Sequence, residues 1–187
     1  ANEVLYDSLH PHGQGLQHRI ACTDALQRAG YQVGIGMMDG VKGQTITHLV
    51  EDLQFIATMR PDMVGIGPFI PHHATPLSTE PAGNLHLTLA TIAISRLLLP
   101  GALIPSTTAL ATLSPQGRRE GILSGANVVM PNLSPSNVRA KYAIYENKAS
   151  WNNEAVEGLA SLENELHTIG YHITYGRGDS KVNRIHK

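Results

Sequence analysis

The stretch Asp62-Met63-Val64-Gly65-Ile66-Gly67-Pro68-Phe69 constrains the fold more than any other part of the chain. Met63 to Ile66 is a short apolar run without polar alternation, which reads as a strand buried on both faces of a helix-flanked parallel sheet. Gly67-Pro68 ends it, because Pro68 has no N–H for a sheet ladder and pushes the residue before it off helical angles. A loop then begins at the C-terminal end of the strand, where α/β sheets and barrels hold their ligands.

The rest of the chain repeats that unit. Leu16, Ile20, Leu26 and Ala29 predict a helix over 14–29, stopped at Gly30. Residues 31–38 read as a strand running into the Gly-rich turn Asp39-Gly40-Val41-Lys42-Gly43-Gln44-Thr45. Ile46, Leu49, Val50, Leu53, Ile56 and Met59 form one apolar helical face, with Thr45 or Thr47 as cap. After the strand at Met63 and a long loop, Leu85 to Leu97 predict another helix, ended by Pro100-Gly101. Residues 103–110 read as a short strand opening into a loop, and Ser114-Pro115 starts a helix reaching about Ser124. Residues 126–131 read as a fourth strand, Ser134-Pro135 starts a further helix, and 154–169 form a last amphipathic helix. The polar tail from Tyr171 is expected to be irregular or frayed. Strands alternating with helices give a parallel sheet with right-handed crossovers, and four such units are too few for a closed eight-stranded barrel.

Composition narrows the function classes. Of 187 residues, 42% are hydrophobic and 16% charged, as in an ordinary α/β domain. The formal net charge of −1 leaves no basic footprint for nucleic acid. No apolar run reaches the roughly 18 residues of a membrane span, and no leading segment resembles a signal peptide, so a cytoplasmic location is expected. The single cysteine, Cys22, excludes an internal disulfide and an all-cysteine metal site.

Few residues carry chemistry by pattern alone. Gly34-x-Gly36-x-x-x-Gly40 is one residue too long for a dinucleotide fingerprint, and Lys42-Gly43 reverses the order of a phosphate loop. A tight strand-to-helix turn is the plain reading, and close backbone approach to a ligand the functional one. None of the ten histidines, including His10, His12 and the pair His72-His73, has metal-ligand spacing. Thr107 and Thr108 can hold a carboxylate or phosphate by neutral hydrogen bonds, or simply turn the chain. Arg19 can grip a carboxylate with two parallel hydrogen bonds, or sit solvated on its helix. There is no Gly-x-Ser-x-Gly elbow.

Taken together, several stretches resemble one family. They are Gly34 to Thr45, Asp62 to His72 followed by Thr75-Pro76, Arg96-Leu-Leu-Leu-Pro100, Ile104-Pro-Ser-Thr-Thr-Ala109 and Gly125-Ala-Asn-Val-Val-Met-Pro-Asn132. From about Asn2 to Lys148 the chain is similar to HydE, the iron–iron hydrogenase maturase family. HydE is a radical S-adenosylmethionine branch related to biotin synthase and methylornithine synthase. The run Gly-Pro-Phe-Ile-Pro-His favours HydE over those sister enzymes, which stay as an alternative.

The resemblance implies a (βα)₈ TIM-type barrel with a 4Fe–4S cluster and S-adenosylmethionine at the C-terminal mouth of its strands. The cluster's electron cleaves the cofactor to a 5′-deoxyadenosyl radical, which acts on an organometallic substrate on the way to the hydrogenase di-iron site. By position, Arg19, Met63 and Ile70 would contact S-adenosylmethionine. Thr107, Thr108, Met130, Tyr142 and Tyr145 would line the substrate cavity. Other hydrogenase maturation proteins are the implied partners.

The departures from the family pattern are also informative. The family's Cys-x-x-x-Cys-x-x-Cys is absent, and with it the first half of the barrel. The expected fold is therefore the C-terminal half of the barrel over residues 1–150, with a C-terminal helix and tail over 151–187. Alone, it is expected to bind no cluster and to be inactive, or to act as a non-catalytic half-barrel binding module. Ala1 reads as following a removed initiator Met or an internal cut. Asp39 and Lys42 stand where the family has an apolar residue and Pro. A half-barrel also leaves two apolar edges, near Val33 and Val128, which pair edge to edge when uncovered and predict a homodimer. The alternative is that residues 151–187 cover one edge.

Overall fold

A computed structural model describes residues 1–10, 15–130 and 155–182, with side chains of the last helix described from residue 159. Four strands run parallel: β1 (Gly34–Asp39), β2 (Met63–Pro68), β3 (Pro105–Ser106) and β4 (Val128–Val129). β1 pairs with β2 in register from Gly34 opposite Met63 to Asp39 opposite Pro68. β3 pairs with β4, and a bridge between Met63 and Leu103 joins the two pairs. Around them lie α1 (Glu3–Leu9), α2 (Leu16–Arg28), α3 (Ile46–Met59), α4 (Leu85–Leu98), α5 (Thr108–Leu113), α6 (Gly117–Leu123) and α7 (Ala155–His167).

The helices cover one face of the strands. Val64 and Ile66 of β2 are fully buried against Leu53 and Ile56 of α3, Ile92 of α4, Leu110 of α5 and Ile122 of α6. On the other face, Met63, Gly65 and Gly67 are only half-buried, and Gly34, Gly36 and Met38 are exposed. The expectation of a strand buried on both faces therefore fails on one side. On that side α1 and α2 wall a cavity beside β1, and the glycines there have no side chains to shield their neighbours.

Local chemistry sets the element ends. Thr45 caps α3 in a capping box with His48, and Asn84 caps α4 through the Leu87 N–H at 3.1 Å. Gln44 closes the Gly-rich turn in both directions, accepting from the Gly40 N–H at 2.6 Å and donating to the Met38 carbonyl at 2.9 Å. Gly40 takes φ +86°, and a Cβ there would press on the Gly83 Cα, so the turn needs glycine on both counts. Asp62 ties the strand starts together, its carboxylate accepting from the Val33 N–H at 2.7 Å.

Some sequence expectations shift. The strand expected over 31–38 starts only at Gly34 and extends to Asp39. The loop expected after β3 is helix α5, because Thr107 stands at its N-cap and Ala109-Leu110-Ala111 are strong helix formers. α6 starts at Gly117, not Ser114-Pro115, because a turn from Ser114 to Gly117 comes first. On α3, Leu49, Leu53 and Ile56 are buried, whereas Ile46 and Val50 from the same expected face are exposed. The short helix α1 has no counterpart in the sequence reading. The helix expected from Ser134-Pro135 lies outside the described residues.

The tail from Tyr171 has no regular structure, yet it is not frayed. Gln32 donates to Asp179 at 2.7 Å and accepts from the Ser180 N–H at 2.9 Å. The Lys181 N–H donates to the Gly101 carbonyl at 3.0 Å. These bonds lie at the N-terminal side of the strands, not along β4. No helix among the described residues is long and apolar enough to cross a membrane.

Candidate functional site

Parallel pairing brings the C-terminal ends of the strands to one side of the molecule. There β1 ends at Asp39, β2 at Pro68, and Thr107 follows β3 directly. Gly67 sits on the open face, and a Cβ built on it would lie 3.2 Å from the Thr107 hydroxyl oxygen. That hydroxyl is buried and has no hydrogen-bond partner. An orphaned buried hydroxyl is rare in folded proteins and marks a place where a polar ligand atom or water completes the structure.

A second feature adjoins the β1 edge. A cavity of about 490 Å³ is lined by α1, α2, β1 and α3, including Tyr6, His10, Arg19, Gly36, Met38 and His48. The Arg19 Nε donates to the Tyr6 hydroxyl at 2.8 Å, and the Tyr6 ring stacks on His10 at 3.7 Å between centroids. Glycine shapes the strand wall: a Cβ on Gly36 would stand 2.7 Å from the Gly65 carbonyl oxygen. The arrangement offers one guanidinium, one phenol and a backbone surface bare of side chains, a set suited to a carboxylate-bearing ligand.

The third feature is Asp39. Its side chain is fully buried, and neither carboxylate oxygen has a hydrogen-bond partner. Burial pushes the carboxyl up to about 6, while the nearby Thr91 and Thr88 hydroxyls pull the other way. In this geometry those hydroxyls donate instead to the Leu87 and Asn84 carbonyls, at 3.0 and 3.2 Å. Each hydroxyl has one proton, so the carboxylate is unpaired until a hydroxyl rotates towards it.

The residues expected to line a site are only partly gathered. Thr107 meets β2 at the C-terminal side, and Thr108 opens α5, its carbonyl accepting from the Thr112 hydroxyl at 3.0 Å. Arg19 lines the cavity at the β1 edge, whereas Met63 and Ile70 do not. Met63 starts β2 and Ile70 lies beyond its end, so the strand separates them. Met130 follows β4 and is exposed. Tyr142 and Tyr145 lie outside the described residues. Sequence reasoning missed Tyr6 and His10 as cavity wall; the Leu5, Tyr6 and Leu9 spacing in α1 was the available signal. It also missed the burial of Asp39, which no local pattern encodes.

A 4Fe–4S cluster does not fit this chain. Such clusters need thiolates, and Cys22 is the only cysteine, exposed on α2 with its sulfur 3.7 Å from the His18 ring. Among the described residues no three His, Cys, Asp or Glu gather to hold a metal.

No family model matches the chain. Over 148 residues, 79% of the chain, it is 47% identical to the FeFe hydrogenase maturase subunit HydE of Thermotoga maritima. The chain is related to HydE. It covers 42% of that HydE. It is also 30% identical over 128 residues to the 3-methylornithine synthase of Methanosarcina acetivorans, covering 35% of it. The crystal structure of a methylornithine synthase superposes with a TM-score of 0.65 at 24% identity, over 87% of this chain and 47% of the other, and shows a shared fold. The chain thus spans less than half the length of the HydE and methylornithine synthase relatives it matches. The sequence relatives agree with the expected kinship, and the higher identity lies on the HydE side.

Proposed function

We propose that the chain is the cofactor- and substrate-binding wall of a HydE-type radical S-adenosylmethionine enzyme, the C-terminal half of its barrel, inactive alone. The observation that carries this reading is the 47% identity to HydE. The bound cofactor would supply the radical chemistry. This chain's residues would bind and orient, with Arg19 gripping a carboxylate from the cavity at the β1 edge and Ile70 lying just past the end of β2. Thr107 and Thr108 would offer hydroxyls to a small or organometallic substrate, with Met130, Tyr142 and Tyr145 around it. The orphaned Thr107 hydroxyl supports a polar ligand at that point. The ordinary compartment for this work is the cytoplasm, alongside other hydrogenase maturation proteins.

A chimera tests the reading. The 148-residue matched stretch of Thermotoga maritima HydE is replaced by that of this chain, and the cluster is reconstituted anaerobically. The expected result is S-adenosylmethionine binding and release of 5′-deoxyadenosine by the chimera, and no cleavage by the chain alone. A folded, cluster-loaded chimera that does not bind S-adenosylmethionine overturns it.

Among the described residues β1 pairs only with β2 and β4 only with β3, and no residue of the tail is backbone-paired to either edge. These free edges support a homodimer burying roughly 2,000 Å² or more. Light scattering should then give twice the 20.1 kDa chain mass; a monomer at micromolar concentration refutes it.

A further inference from the structure

We propose that Asp39 is a built-in release for the loop over residues 69–83: the loop seats on the end of β1 while the carboxyl is neutral, and lifts more readily once it is charged. The loop is clasped to β1 beside that carboxyl. The Phe69 N–H donates to the Asp39 carbonyl at 2.8 Å, and the Gly83 N–H donates to the Phe69 carbonyl at 2.8 Å. Gly40 and Gly83 pack backbone to backbone, so closely that a Cβ on either would collide with the other strand of the clasp. Phe69 is buried in the same seat. Farther out, Lys42 pairs with Glu80 at 2.7 Å and ties the loop to the Gly-rich turn. Between its two ends the loop makes successive turns, Thr75 onto His72, Ser78 onto Thr75 and Glu80 onto Leu77.

Beneath this clasp the Asp39 side chain is sealed from water with both oxygens unpaired. α4 faces it with the neutral hydroxyls of Thr88 and Thr91, and the loop with the backbone of Phe69 and Gly83. Lys42 and Glu80 are engaged with each other, and His86 of α4 is exposed; among the described residues no charged side chain adds to or offsets the burial effect. An ionised carboxylate in such a place is stabilised by letting water in, and parting the clasp beside it does so. The neutral carboxyl has no such need, since it can donate to a threonine hydroxyl. The inference stands apart from any cofactor, since it concerns only access to the side where the strands end.

The direction follows from proton linkage. The seated carboxyl titrates at about 6, against 3.8 when solvated. The seated form therefore holds its proton over the interval between these values, and the opened form does not. Opening becomes about tenfold easier per pH unit from about 4 to 6, about 100-fold in all, and levels off above that. At neutral pH the loop is on the loosened plateau.

Amide exchange of the full chain, corrected for intrinsic rate and read from pH 4 to 7.5, tests this. The Phe69 and Gly83 amides should exchange faster than those of α3 at every pH. Their protection should fall about 100-fold between pH 4 and 6 and then flatten. In Asp39→Asn and Asp39→Val the profile should be flat. A flat profile in the unaltered chain, exchange no faster than in α3, or an unchanged profile in a folded Asp39 variant each overturns the proposal. The first two need no variant to fold.

Discussion

Replacing Arg96 tests how the last turn of α4 is joined to β3 and β4. Its Nε donates to the Gly125 carbonyl at 2.8 Å, and its Nη1 reaches the carbonyls of Pro100 at 2.9 Å, Ala102 at 2.8 Å and Leu99 at 3.3 Å. One guanidinium thus gathers the end of the helix, the turn before β3 and the turn before β4. Its stem also packs on Gly125, where a Cβ would stand 2.8 Å from the Arg96 Cβ. Not every acceptor depends on it: Leu99 also accepts from the Ala102 N–H, Ala102 also accepts from Asn127, and water can reach Pro100. The loss falls on Gly125 and partly on Ala102. A hydrogen bond from a charged donor contributes about 1.5–3 kcal/mol, and burial, which lowers the Arg96 pKa, offsets part of that. Arg96→Met, which keeps the stem, should therefore destabilise by about 2–4 kcal/mol. Arg96→Ala should add about 1 kcal/mol for the lost stem, and Arg96→Lys should fall between Met and the original. Urea denaturation followed by circular dichroism reads the stability, and amide exchange at Ala126 and Asn127 reads the site. An Arg96→Met chain within about 0.5 kcal/mol of the parent would refute the reasoning, because surface substitutions shift stability by that much.

Gly36→Ala should destabilise by about 1–3 kcal/mol, because its Cβ meets the Gly65 carbonyl and the strands must part. Gly65→Ala, whose Cβ finds only the Ile35 carbonyl at 3.9 Å, should be tolerated, and the reverse order in denaturation midpoints would contradict the strand geometry. Thr107→Val removes an unpartnered hydroxyl and should leave stability unchanged or raise it by about 1 kcal/mol; in the chimera the same change should weaken ligand binding, measured by calorimetry. Anaerobic reconstitution of the chain alone should yield well under one cluster per chain by iron counting; a stoichiometric cluster would contradict the thiolate argument.

Helices with one dominant periodicity were the most legible. α3 begins and ends at the residues its pattern implied, because Thr45 is a strong cap and Pro61 follows the turn that ends it. Yet Ile46 and Val50 share the pattern and remain exposed, since nothing packs over that flank among the described residues. β3 was legible as a place but not as a length: Pro105-Ser106 is all that pairs, because Thr107 turns the chain into a helix. The site was legible only in pieces. The position of Thr107 beside Gly67 follows from parallel strands ending together. The burial of Asp39 and the wall made by α1 depend on what lies opposite them in space, which periodicity does not carry. Met63 shows the converse, since resemblance groups it with Ile70 although the strand holds them apart.

The pairing of Gln32 with Asp179 and Ser180 joins positions 147 and 148 residues apart. Closing a loop of that length sets aside about 4 kcal/mol of chain entropy, so this latch forms late, after the intervening strands and helices have shortened the path. During synthesis, residues 32 to 130 leave the ribosome well before Asp179 exists. The underside of the strands is therefore unlatched until the stretch around Asp179 has been made. Changes at Gln32 should accordingly speed unfolding more than they slow folding.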